Sequence, residues 1–151
     1  MKKKRLIPIL LFKDGNLVQA HNFKFYQNLG NPEQAVKRLS EWGSDELIYL
    51  DISDRKHDIA RTDIKYKSTS SFLNIVKKFS KFCFMPTTIG GKIKNLKDVE
   101  KRLLVGADKI SINSAALINP LLISNIAKEF GSQCVVISID VKKINNEYKV
   151  F

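Results

Sequence analysis

Short continuous apolar runs alternate along the chain with longer stretches whose apolar residues recur every three or four positions, and this predicts strands and helices in turn. Arg5 to Phe12 predicts a buried strand. Asn31-Pro32-Glu33 supplies an N-cap and a proline at the first helical position. Ala35, Val36, Leu39 and Trp42 follow at helical spacing, and Gly43 ends the helix. Glu46 to Ile52 predicts the second strand, and Phe72, Leu73, Ile75, Val76 and Phe79 mark the second helix. Phe84 to Ile89 predicts the third strand, which Gly90-Gly91 breaks. Asn95 caps a third helix with Leu96, Val99, Leu103 and Leu104 inward, closing at Gly106. Lys109 to Asn113 is the fourth strand. Asn119-Pro120 opens a fourth helix with Leu122, Ile123, Ile126 and Phe130 on one face, and Cys134 to Ile139 is the fifth strand.

Five strands alternating with four helices predict an α/β fold with a parallel sheet, covered by helices on at least one face. A doubly wound open sheet and part of a closed barrel both fit, and the pattern does not choose between them. Asp51 and Asp140 fall at the carboxyl ends of strands, where both architectures place their chemistry. Residues 142–151 set Ile144, Tyr148 and Val150 around Asn145-Asn146, which predicts a hairpin.

Composition narrows the function. Of 151 residues 44% are hydrophobic and 27% charged, a globular profile sufficient for one domain over residues 1–151. No apolar run approaches the roughly 20 residues of a membrane helix. Met1-Lys2-Lys3-Lys4-Arg5 leads into too short an apolar stretch for a signal peptide. The net charge of +11 is spread through every segment, which suits a solvated surface attractive to phosphorylated metabolites better than a nucleic-acid interface. Cys83 and Cys134 lack metal-ligand spacing and read as buried thiols of a cytoplasmic protein. His21 and His57 fall in predicted loops without metal partners, so no metal or cofactor is expected. Trp42 and Phe79 are expected to pack in the core.

Five segments together carry a resemblance. They are Lys4-Arg-Leu-Ile-Pro8, Asp45-Glu-Leu-Ile-Tyr-Leu-Asp51, Thr88-Ile-Gly-Gly91, Gly106-Ala-Asp-Lys-Ile-Ser-Ile-Asn113 and Gly131-Ser-Gln-Cys-Val-Val136. In this order they resemble the cyclase subunit of imidazole glycerol phosphate synthase. The resemblance implies a (β/α)8 TIM barrel, of which the chain would hold about the first five strands and four helices. Such barrels typically need about 250 residues, so the chain is expected to be a fragment, and a half-barrel on its own is expected to self-associate through its raw edges.

The resemblance also implies chemistry. Ammonia from a glutaminase partner would enter at the amino-terminal end of the barrel, gated by Arg5, Glu46 and Lys109. A phosphorylated substrate would be held at the opposite end by Gly90, Gly91, Asn113 and Ser114. Asp140 matches one of the family's two acid–base aspartates, and Asp51 is open to either a structural or a substrate role. The chain departs from the pattern at Leu11, which stands where the first-strand aspartate belongs, at Gln19 for a lysine and at Lys92 for a third glycine. That combination resembles cyclase-like paralogues that pass ammonia to sugar amidotransferases in surface-polysaccharide pathways. A genuine cyclase of histidine biosynthesis and a non-catalytic half-barrel remain the alternatives.

Overall fold

The computed structural model describes residues 4–53, 59–61 and 70–150. His57 lies outside them. In chain order the elements are β1 (Ile9–Lys13), β2 (Asn16–His21), β3 (Phe25–Gly30), α1 (Pro32–Glu41), β4 (Leu47–Asp51), β5 (Ile59–Arg61), α2 (Phe72–Phe79), β6 (Thr87–Gly90), α3 (Leu96–Leu104), β7 (Lys109–Ile112), α4 (Ser114–Ile118), α5 (Leu121–Phe130), a 3-10 turn at Ser132–Cys134, β8 (Val135–Ile137), β9 (Val141–Ile144) and β10 (Glu147–Val150). One eight-stranded sheet runs β5-β3-β2-β1-β4-β6-β7-β8, and β9 and β10 form a separate hairpin. The predicted parallel set is present as β1-β4-β6-β7-β8.

The register decides between the two architectures left open above. Leu10, Tyr49, Ile89, Ile110 and Val135 are direct neighbours across the five parallel strands. All of them face the helices: the first three meet α1 and α2 in one apolar cluster, and the last two meet α3 and α5 in a second. Because strand side chains alternate, the neighbouring row Leu11, Leu50, Gly90, Ser111 and Val136 occupies the other face. Helices on a single face are the arrangement of a barrel wall, whereas a doubly wound sheet carries them on both.

Aromatic packing anchors the first cluster. Tyr49 stacks on Phe72 at 5.1 Å and meets Phe79 edge-on at 5.5 Å, with Phe12 tilted against Phe72 at 5.4 Å. Burial of each such ring is worth about 2–3 kcal/mol. Asn31 and Asn95 cap their helices as expected, Ser71 caps α2 without having been expected, and α5 starts after Pro120 with no side-chain cap. Asn31 accepts from the Glu33 N–H, Ser71 from Asn74 and Asn95 from Asp98.

Several expectations are corrected. The first strand begins at Ile9 rather than Arg5. Its ladder to β4 starts where the Ile48 N–H donates to the Pro8 carbonyl. Residues 14–30 form two antiparallel strands, not a loop, and His21 ends β2. Asp14-Gly15, with φ of 48° and 88°, makes the two-residue turn that starts this meander. Phe84 is 91% exposed, because Pro86 cannot donate to a ladder and the third parallel strand starts after it. Trp42 is 74% exposed: α1 ends at Glu41, and Trp42 is its C-cap rather than part of the buried stripe. Leu104 is 78% exposed, since it lies about 140° round the helix from buried Val99. Cys83 is only half-buried, although Cys134 is buried. The short helix α4 had no expectation.

Candidate functional site

The two ends of the parallel strands carry different polar groups. At the amino-terminal end, Glu46 precedes β4 and shares the open face of Ile48 and Leu50. Its Oε1 accepts from Arg5 Nη1 and its Oε2 from Lys109 Nζ at 3.0 Å. Three of the expected residues are therefore one cluster, assembled from the approach to β1, the start of β4 and the start of β7. The Lys109 hydrogen bond, with further attraction from Lys109 and Arg5, holds the Glu46 carboxyl below its ordinary value, while burial opposes.

Aspartates clasp the same end. Asp45 accepts from the Leu6 N–H at 2.7 Å, and Asp108 accepts from the Thr87 N–H at 2.7 Å. Each follows a positive-φ glycine by two residues, Gly43 at 74° and Gly106 at 107°. The Gly-x-Asp turn thus recurs before β4 and β7, each time tying a new strand to the start of a neighbour.

At the carboxyl-terminal end an open cleft of about 710 Å³ is lined by Asp51, Gly91, Lys92, Asn113, Ser114 and Asp140, among others. Gly91 lines this cleft, whereas Gly90 is the buried last residue of β6. A Cβ on Gly90 would lie 2.6 Å from Leu50 Cδ2. Gly91 sits at φ 90°, where a Cβ would collide with the Asp51 carbonyl. Only glycine lets the chain after β6 pass this close to the end of β4.

Lys92 follows at φ 55°, a left-handed conformation rare for a side-chain-bearing residue. Its ammonium lies 3.6 Å from Asp51 Oδ2. Asp51 is buried, and its Oδ1 accepts from the Ser53 N–H at 3.0 Å and the Ser53 hydroxyl at 2.6 Å. Across the cleft, Asp140 Oδ2 accepts from Asn113 Nδ2 at 3.0 Å. Asp140 lies three residues past the end of β8, and Ser114 opens α4 rather than a loop.

A family model described as histidine biosynthesis protein matches residues 5–151. A relative from Campylobacter concisus, "Imidazole glycerol phosphate synthase subunit HisF", is 41% identical over 98% of this chain and 55% of its own length. Proteins of the same description from Flavobacterium psychrophilum and Parabacteroides distasonis are 41% and 42% identical, over 99% and 98% of this chain and 56% and 55% of theirs. The chain belongs to the histidine biosynthesis protein family, in its HisF branch. It spans about half the length of the curated relatives it matches. The family fold is a (β/α)8 barrel, which agrees with helices on one face of the parallel strands.

Against this HisF background the departures have definite places. Leu11 is on the open face opposite Leu50, so an aliphatic pair stands where the resemblance implies an acid. Gln19 is exposed in β2, paired with Gln27 of β3. Two buried cations escaped the sequence reading. Arg102, on α3, donates from Nη2 to the Gly91 carbonyl and from Nη1 to the Asp98 carbonyl at 2.7 Å. Burial pulls its pKa down, and the Asp98 and Asp51 carboxylates oppose that. Lys13 is 3.2 Å from Asp14 and lies over the Tyr26 ring. A basic residue on the inward stripe of α3 was the available signal for Arg102. Among the described residues no helix is long and apolar enough to cross a membrane, and no cluster of His, Cys, Asp and Glu could hold a metal ion.

Proposed function

We propose that the chain is the ammonia-receiving, cyclase-type part of an imidazole glycerol phosphate synthase relative. In this reading a glutaminase partner releases ammonia at the Arg5–Glu46–Lys109 cluster, and the ammonia crosses the open face to the cleft that carries Asp140. The observation that supports it is one carboxylate shared by two cations, Arg5 from the approach to β1 and Lys109 from the start of β7, at the amino-terminal mouth of the parallel strands. Between that mouth and the cleft the open face carries Ile9, Ile48, Leu11 and Leu50 on β1 and β4, with Thr88 and Ser111 in the same rows on β6 and β7. Ammonia must stay unprotonated in transit, and an aliphatic lining away from bulk water serves that need. The chain would supply about the first five strands of the barrel. At the cleft, the backbone of Gly90 and Gly91, together with Ser114, would hold the phosphate of the substrate.

Leu11 refines the proposal. A leucine cannot transfer a proton, and general acid–base assistance is worth about 10²–10⁴ in rate. We infer that the ammonia serves a different acceptor, through a sugar amidotransferase in surface-polysaccharide synthesis. A histidine-pathway cyclase is the second reading, favoured by Asp140 at the cleft and by the description its relatives carry.

Ammonia-dependent turnover of the phosphoribulosyl substrate by the full-length protein, with Leu11→Asp beside it, tests both. Silence from the wild type together with stimulation of the glutaminase is the expected result. Normal wild-type turnover overturns the delivery reading and establishes the cyclase. A wild type that neither turns over nor stimulates a glutaminase overturns both.

A further inference from the structure

We propose that Asn113 is a positioning residue for Asp140, rather than the phosphate ligand that its place in the sequence suggests. Asn113 is the N-cap of α4, where an asparagine ordinarily accepts from a backbone N–H one turn into the helix. It makes no such bond. Its backbone, at φ −119° and ψ −99°, departs from both helical and extended values. The side chain instead spans two strands to donate from Nδ2 to Asp140 Oδ2 at 3.0 Å.

The sheet prepares this contact. The Ser138 N–H donates to the Ile112 carbonyl at 2.8 Å, which continues the β7–β8 ladder beyond Ile137. Asp140 is thereby brought beside the residue that follows Ile112. An amide neither gains nor loses a proton across the working range, so it can hold one carboxylate oxygen without joining the proton transfer. Among the described residues Oδ1 of Asp140 has no hydrogen-bond partner, which leaves it for a group bound in the cleft. Fixing one oxygen to present the other is how a neighbour makes a general acid or base effective. The two residues lie in one cleft wall with Ser111, Ser114 and Ser138.

The proposal rests on Asp140 acting as an acid or base, so the test has two arms. In the first, the side-chain amide of Asn113 is followed by 1H–15N NMR in the ligand-free full-length protein, assigned with Asn113→Ala. Asp140→Ala is expected to shift this resonance upfield, and by more than millimolar inorganic phosphate bound at the adjacent Ser114 does. A resonance moved by phosphate and indifferent to Asp140→Ala overturns the proposal. The second arm measures turnover in the wild type, or in Leu11→Asp if the wild type is silent. Asn113→Ala should lower kcat about 10²-fold with little change in KM, and adding Asn113→Ala to Asp140→Asn should cost nothing more. A raised KM at unchanged kcat makes Asn113 a substrate ligand and overturns the proposal. Full turnover by Asp140→Asn instead removes the acid–base reading, and the NMR arm then decides the contact alone.

Discussion

The two ends of the parallel strands solve opposite problems with similar residues. At the amino-terminal end the polar groups are directed at one another. Glu46 holds Arg5 and Lys109, Asp45 holds Leu6, and Asp108 holds Thr87. At the carboxyl-terminal end the backbone takes positive φ at Gly91 and Lys92, and Asp51, Asn113 and Asp140 line an open cleft. The glycines differ in the same way. Nothing lies within 4 Å of a Cβ built on Gly43, whereas one on Gly91 strikes the Asp51 backbone. Gly43 serves only its turn, a Cβ on Gly106 of the matching turn would lie 2.7 Å from the Ser80 Cβ, and Gly91 serves a close approach of two strands. One end thus pairs its polar groups with one another, and the other leaves them lining an open cleft.

The sharpest way to break this contrast is to give both glycines a methyl group. Gly91→Ala should cost about 3 kcal/mol or more, through strain added to a collision with backbone, and Gly43→Ala only about 1 kcal/mol. Urea unfolding of the two variants measures the gap, and equal losses would remove the distinction. Next in size is Arg102→Met. It strips donors from the Gly91 and Asp98 carbonyls and should cost about 2–3 kcal/mol, and it should loosen the glycine turn, seen as faster amide exchange at Gly91 and Lys92.

The amino-terminal cluster should respond to pH. Because the Glu46 carboxyl is held below its ordinary 4.5, its contribution is present above that value and lost as pH falls through the lower folded-state value. Glu46→Gln should therefore flatten the acid limb of the stability curve, with a neutral-pH cost of about 1 kcal/mol once the partial exposure of Arg5 and Lys109 is allowed for. An unchanged acid limb would mean that the cluster adds nothing to stability. Smallest is Lys92→Gly. Relief of the left-handed strain, worth about 1 kcal/mol, is offset by loss of the Asp51 ion pair, so a net stabilisation of a few tenths is expected. A thermal midpoint that falls instead would show the Lys92–Asp51 pair to be the stronger term.

Much of the fold was legible because local chemistry and global fold agree in it. Asn31-Pro32, Asn95 and the apolar period of α2 and α5 announce their helices, and Asn145-Asn146 announces the final hairpin with positive φ at both residues. The β1–β2 hairpin was equally announced by Asp14-Gly15, yet Leu17-Val18 breaks the strict alternation that marks a half-buried strand. Trp42 and Leu104 misled because an apolar residue in the last turn satisfies a helical period without facing the core. For the site, the places of Glu46, Lys109 and Gly91 at strand ends were readable. The partners of Asn113, Arg102 and Lys92 were not, since each depends on where another strand or helix comes to rest.

The sequence by itself determined the alternation of strands and helices, their caps and turns, and the residue types available at each strand end. Those follow from dihedral preference, hydrogen bonding within a few residues and the period of apolar positions. Tertiary structure alone decided that every covering helix packs on one face of the parallel strands. It also decided that Glu46 is shared by two cations, and that Asn113 forgoes its helix cap for Asp140 twenty-seven positions away. The physical reason is register: a one-residue slip in any ladder would move each of those side chains to the opposite face.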